Sequence, residues 1–219
     1  MEQIKTVQDL KSYYKKLPGI GEKTAERLAY ATLSFDKEVL IEFSNALQNV
    51  VNNITTCPHC GIFIDSDKCP ICDDESRDKK TLLVVSDVKN VISFEKTNKY
   101  HGLYFVLGGS ISLMKGITPE KLHIPELKKR VIDDKINEVI LACNSTLEGE
   151  TTSLYIAKIL EETNVKVSRL AFGLPFGAEL EYVDEATISR SLLDRTVVKG
   201  ENNDGSSREN YYICRWRGE

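Results

Sequence analysis

The 219-residue chain carries 29 Lys and Arg against 33 Asp and Glu, a formal net charge of −4, with 41% hydrophobic residues. That length can bury a real core as one large domain or as two to three small ones, and the charge excludes a surface that is basic throughout. No apolar run approaches the length of a membrane span, and the opening MEQIKTVQDL lacks the apolar core of a signal peptide, so a cytoplasmic, thiol-reducing setting is expected.

Taken in order, residues 6–17 suit a helix, with Thr6 as a cap and Val7, Leu10, Tyr14 and Leu17 on one face. Pro18 ends it. Gly19 and Gly21 then permit a tight hairpin before a second helix that starts at Gly21 or Glu22. The free N–H groups at that start suit a phosphate, and Lys23 and Arg27, four residues apart, share a face beside them. This spacing reads as a helix-hairpin-helix that grips the DNA backbone without reading sequence, with Gly19, Gly21, Lys23 and Arg27 as the contacts and Lys15 and Lys16 as the next candidates. The plainer alternative is an ordinary helix turn in which Glu22 and Glu26 satisfy Arg27. Residues 36–54 form another helix, where Leu40, Phe43, Leu47, Val50, Val51 and Ile54 mark a core face or a subunit-interface face.

Next comes Cys57-Pro58-His59-Cys60, eight residues, then Cys69-Pro70-Ile71-Cys72. Each C-x2-C turns two thiolates to one side, and two such knuckles supply the four soft ligands of a structural Zn²⁺ with no open position. Gly61 follows the first knuckle, where a left-handed conformation is expected. Two rivals are a pair of disulfides, which needs an oxidising compartment, and a redox C-x-x-C, which needs only one pair. His59 is surplus to a closed four-Cys site. Cys143 reads as a small buried hydrophobe, and Cys214 falls in a polar tail.

After a charged linker, 73–80, short apolar strands alternate with helices. Strands are expected at 81–85, 103–107, 138–143 and 165–171, and helices from Asp87 to Lys96, over 125–135 and over 151–162. The alternation predicts an α/β layer with a mainly parallel sheet, whose ligand edge lies beyond the carboxyl ends of the strands. Those ends carry Ser86-Asp87, Gly108-Gly109 and the run from Asn144 to Glu150. A loop from Gly173 leads to a helix over 184–194. There Glu181, Asp184 and Glu185 form an acidic cluster, read either as a partner or subunit contact or as a helix start capped by Asp184. A strand over 211–216 is expected within the tail.

The order of hairpin, four-Cys module and α/β sheet resembles the bacterial recombination mediator family RecR, on the stretches Leu17–Ala29, Cys57–Cys72, Tyr104–Ile117, Asn144–Ala157 and Gly173–Arg190. The resemblance implies a helix-hairpin-helix region at 1–55, a C4 zinc finger at 56–76, a Toprim domain at 80–175 and a C-terminal segment at 176–219. It also implies a non-enzymatic repair protein with one structural Zn²⁺ per chain. Such a protein binds DNA, forms a ring-like homo-oligomer and works with RecO and RecF to load recombinase at single-stranded gaps. Toprim domains also serve Mg²⁺-dependent nucleases, primases and topoisomerases, which is the enzymatic alternative. Those enzymes need a Glu after the first strand and an Asp-x-Asp after a later one, whereas this chain has Ser86 at the first place and Asn144 and Thr146 at the second. Ser86 also departs from the Glu usual in the RecR family. Glu148 remains as a cation ligand or as a cap for the helix expected from Thr151. A third reading, a zinc-stapled protein-interaction module, leaves the hairpin without a task.

Overall fold

The computed structural model describes residues 4–171 and 173–195; the strand expected over 211–216 and Cys214 lie outside them. The chain divides into two compact units, one through Ser168 and one from Arg169 onward.

The first unit opens with α1 (Lys5–Tyr14) and α2 (Glu22–Thr32), packed against each other through Val7, Ala25 and Ala29. The small alanines let the two backbones approach, and the Tyr14 hydroxyl meets the Thr32 hydroxyl at 2.7 Å across the pair. α1 stops three residues short of the expected end. Its N-cap is Ile4, which offers no side-chain acceptor, so Thr6 lies inside the helix and does not cap it. α3 (Lys37–Asn53) matches the expected helix, but none of its residues is buried. Val39, Ile41, Phe43, Leu47, Val50 and Val51 all stand exposed, so the core alternative for this face fails within one chain.

β1 (Thr55–Thr56) and β2 (Phe63–Ile64) pair antiparallel and carry the first knuckle between them. β3 (Asp78–Val85) is the centre of a four-stranded sheet in the order β4-β3-β5-β6, with β4 (Gly102–Val106) and β5 (Glu138–Ala142) parallel to it and β6 (Lys166–Arg169) beyond β5. α4 (Val88–Glu95), α5 (Ile124–Asp133) and α6 (Leu147–Leu160) are the crossover helices. The continuous apolar run Leu82–Val85 is buried on both faces, as a central parallel strand must be. Asp87 caps α4 in a capping box with Asn90, as the sequence suggests.

Two further boundaries differ from expectation. The charged linker is structured from Arg77 on. The Arg77 guanidinium bonds both oxygens of Glu95 at 3.1 and 2.5 Å, and Asp78 to Lys80 extend β3 by three residues. α6 begins four residues early. Thr146 is its cap, accepting from the Gly149 N–H at 3.2 Å, so Glu148 sits inside the first turn and does not cap the helix. Gly149 is required there, because an added Cβ would collide with the carbonyl oxygen of Asn144. In the second unit, α7 (Glu185–Leu193) is capped by Asp184, which accepts from the Thr187 N–H at 2.9 Å.

One buried hydroxyl joins α6 to the loop after β4. Thr152 donates to the Glu148 carbonyl at 2.6 Å and accepts from the Ile111 N–H at 2.9 Å, with no exposed surface of its own. Replacing it by Val leaves the Ile111 N–H buried without a partner. Thr152→Val is expected to cost about 1–3 kcal/mol in urea unfolding at neutral pH. A change under about 0.5 kcal/mol, the size of an ordinary surface substitution, contradicts that role.

Candidate metal centre and nucleic-acid interface

The four knuckle cysteines converge. All four Sγ atoms lie within 4.8 Å of one another, with Cys57 to Cys72 at 4.0 Å and Cys60 to Cys69 at 3.6 Å. A tetrahedral Zn²⁺ with bonds of about 2.3 Å places its sulfurs about 3.8 Å apart, close to the two separations given. Cys57, Cys60 and Cys69 are buried and Cys72 is half-buried. His59 is exposed and lies outside the cluster.

Backbone geometry builds each knuckle. The Gly61 N–H bonds the Cys57 carbonyl at 2.9 Å, closing the first turn, and Gly61 takes φ +79° as expected. A Cβ there would also press on Cβ and O of Val106 at 3.1 Å, so glycine is needed for two separate reasons. The second knuckle is held by Asp73, whose carboxylate accepts from the Cys69 N–H at 2.6 Å, and by the Cys72 N–H, which points at the Cys69 sulfur at 3.3 Å. The Cys72 thiol is pulled down to about 5, first by its hydrogen bond with Cys60 and further by the nearby Arg130 charge. Cys60 is pushed up by that same bond and by burial.

Nothing in the cysteine spacing points to the two cations that serve this module. Lys79 donates to the Cys72 carbonyl at 2.9 Å and also bonds the Asp74 carbonyl. Arg130, from α5, reaches the His59 carbonyl at 2.6 Å and the Cys72 sulfur at 3.6 Å. An alternation of strands and helices gives no signal for such a contact, which spans 58 to 71 residues.

In the hairpin, Gly19 takes φ +78° and Gly21 is the N-cap of α2, with no side chain bonded to the free N–H groups. A Cβ on either glycine would meet nothing within 4 Å, so the outer side of the turn is open. The acids do not pair with Arg27. Glu22 bonds Lys11 at 2.7 Å and also pairs with Lys15, and Glu26 lies 3.6 Å from Lys11. Lys16 lies over the Tyr13 ring at 4.6 Å. Lys23 and Arg27 are exposed and, among the described residues, have no ion-pair partner.

At the ligand edge of the sheet, Ser86 is buried and its hydroxyl lies 3.2 Å from that of Ser110. Cys143 is next to them; burial pushes its thiol up, while hydrogen bonds with Ser153 and Ser86 oppose the shift. The Thr146 hydroxyl is occupied as a helix cap, Asn144 is exposed and Glu148 is half-buried. Among the described residues, the four cysteines are the one group of three or more His, Cys, Asp or Glu side chains placed to share an ion. In the second unit, Asp184 is taken up by the α7 cap, while Glu181 and Glu185 are exposed.

Three family models match the chain in this same order: the RecR helix-hairpin-helix over residues 7–51, a Toprim domain over 80–171 and the RecR C-terminal model over 173–196. Two curated relatives, each named Recombination protein RecR, come from Staphylococcus aureus strains MRSA252 and Newman. Each is 45% identical over 198 residues, which is 90% of this chain and all of the relative. The chain belongs to the RecR family. The RecR helix-hairpin-helix match spans most of α1, all of α2 and most of α3, and the Toprim match runs from within β3 through β6.

The Glu22 contacts carry a pH signature. Hydrogen bonds from Lys11 and then Lys15 hold its carboxyl at about 2, below the ordinary 4.5. A carboxyl depressed by folding contributes stability above its ordinary value and loses it as pH falls toward the folded one. The stability lead of the wild type over Glu22→Gln should therefore be constant above about pH 4.5 and shrink between 4.5 and about 2. Denaturant midpoints of both proteins across that window check it; a lead independent of pH would remove the ion pair from the account.

Proposed function

We propose that the chain is a DNA-binding recombination mediator, acting in the cytoplasm in recombinational repair. The hairpin grips the sugar-phosphate backbone, and the protein works with RecO and RecF to load recombinase at single-stranded gaps. The observation that carries this reading is the pairing of acids in the hairpin. Glu22 and Glu26 are engaged by Lys11 and Lys15, which leaves Lys23 and Arg27 beside the open Gly19-to-Gly21 turn and the free N-terminus of α2. Two cations next to uncapped N–H groups suit phosphates, and such contacts position a protein without specifying sequence. The relatives' name supports the repair role.

The remaining assignments follow from the same geometry. The four cysteines hold one structural Zn²⁺, since four thiolates close a tetrahedron and leave no place for substrate. The exposed apolar stripe of α3 supports a homo-oligomer, because a helix with no buried residue needs a partner surface. A ring of such chains presents several hairpins to one DNA, so weak single sites sum to useful affinity. Glu181 and Glu185 are free to contact a subunit or partner, whereas Asp184 serves the helix. The domain limits proposed with this reading are 1–55 for the hairpin region, 56–76 for the zinc finger, 80–175 for Toprim and 176–219 for the C-terminal segment.

Replacing both Lys23 and Arg27 by Ala should weaken binding to every DNA sequence alike. The slope of log affinity against log salt should drop by about one unit for each phosphate that is no longer neutralised. Fluorescence anisotropy over a salt series decides it: an unchanged affinity and slope would place the DNA-gripping groups elsewhere.

The Toprim edge acts as a binding platform. A Mg²⁺ used on phosphodiesters needs convergent carboxylates, and here the strand ends present Ser86, Asn144 and Thr146, while Asp87 is taken up as the α4 cap and Glu148 and Glu150 lie in the first turn of α6. Purified protein should neither cleave nor religate plasmid or single-stranded DNA, nor synthesise primers, with Mg²⁺ or Mn²⁺. An activity that co-purifies with the chain and disappears in Glu148→Gln would restore the enzymatic alternative.

A further inference from the structure

We infer that Arg130 is a positioning residue that latches the metal-loaded knuckle onto the open edge of β4, so that metal retention and order along that edge depend on one guanidinium. The inference rests on the zinc reading above.

β4 is the outermost strand of the sheet, so among the described residues one side of it has no strand neighbour. Its polar groups on that side are met by other means. The Val106 N–H donates to the Cys60 carbonyl at 2.8 Å, Nδ1 of His123 lies 3.3 Å from the Val106 carbonyl, and the Tyr104 carbonyl accepts from Nη1 of Arg130 at 3.0 Å. The first knuckle thus takes the place of a missing strand. An uncovered edge is a template for wrong pairing, and the knuckle carried between β1 and β2 covers it.

Arg130 holds the two parts together. Nη1 is shared between the Tyr104 carbonyl of β4 and the His59 carbonyl at 2.6 Å, and Nη2 faces the Cys72 sulfur at 3.6 Å. Nε donates to Asp134 at 3.2 Å, which fixes the plane of the fork. The side chain is only 8% exposed. One group therefore touches both knuckles and the strand they cover. Four thiolates around a divalent ion leave net negative charge, which a buried guanidinium offsets where water cannot. Partners that touch metal ligands in this way tune metal retention as well as geometry. Without the ion nothing ties the four sulfurs together, the knuckle opens, and the Cys60 carbonyl leaves the Val106 N–H. Lysine cannot replace the fork, because a single ammonium cannot span two carbonyls and a sulfur in fixed directions.

The test uses the full-length protein with zinc bound, in wild-type, Arg130→Gln and Arg130→Lys forms. Zinc content is measured first. Zinc transfer to a chromogenic chelator is then timed, and amide exchange is read at Val106 and, as an internal reference, at Val84 in the core of β3. Both variants are expected to lose zinc about tenfold faster or more. Exchange at Val106 should rise while Val84 stays protected, and stripping zinc from the wild type should raise Val106 in the same way. A wild-type chain that purifies without zinc overturns the metal reading itself. A zinc-loaded Arg130→Gln protein that releases metal within twofold of the wild type overturns the role given to Arg130. So does a variant in which Val106 and Val84 lose protection together, since that marks general destabilisation.

Discussion

The first unit depends on how the free edge of β4 is closed. A parallel sheet built from strand-helix repeats ends in strands whose outward N–H and C=O groups have no neighbour, and each such group costs free energy if it is buried without a partner. Here a cysteine knuckle supplies the carbonyl of Cys60 to one of them and α5 supplies a guanidinium to another. Close approach requires Gly61 against Val106, and it draws Cys57, Cys60, Ile62, Cys69 and Ile71 into the same apolar cluster as Leu82, Tyr104 and Leu127. The four-cysteine module is therefore part of the core of the sheet domain and not a separate bead on the chain.

A metal ion held by the four cysteines would have a definite task. A loop of this size without an ion has too little apolar surface to keep its shape, so its fold is tied to ligand binding. Once closed, it presents a fixed row of carbonyls to a strand and to Arg130. The loop that leaves β4 then runs past Ser110 and Ile111 to Thr152, which connects the covered edge to the place where Toprim enzymes keep their carboxylates. In this chain that place holds hydroxyls and a half-buried thiol. Ser86 and Ser110 put two neutral hydroxyls in contact there, while Asp87 caps α4 and Glu148 and Glu150 lie in the first turn of α6.

The hairpin shows the same economy of charge. Its two acids face α1, where Lys11 and Lys15 hold them, and its two cations face outward. A chain with net charge −4 can still offer a phosphate site in this way, because the sign of a local patch is set by which charges neutralise each other inside the fold. The exposed apolar face of α3 is the other feature that one chain leaves unsatisfied.

By itself, the sequence determined the element order, the central buried strand, the αL glycine after the first knuckle and the four converging thiols. Each of these is written in short-range patterns: an apolar run, a C-x2-C turn, a glycine where a Cβ is forbidden. It also carried both candidate cations of the hairpin, Lys23 and Arg27, through their four-residue spacing. Only the tertiary structure decided which acids those cations lack, that Thr146 and not Glu148 caps α6, that the charged linker after the second knuckle continues into β3, and that Arg130 and Thr152 join segments dozens of residues apart. The physical reason is range. Turn and period signals act over a few residues, whereas the choice of partner for a buried charge or hydroxyl is settled by whichever carbonyl, thiolate or carboxylate the packed fold brings within about 3 Å.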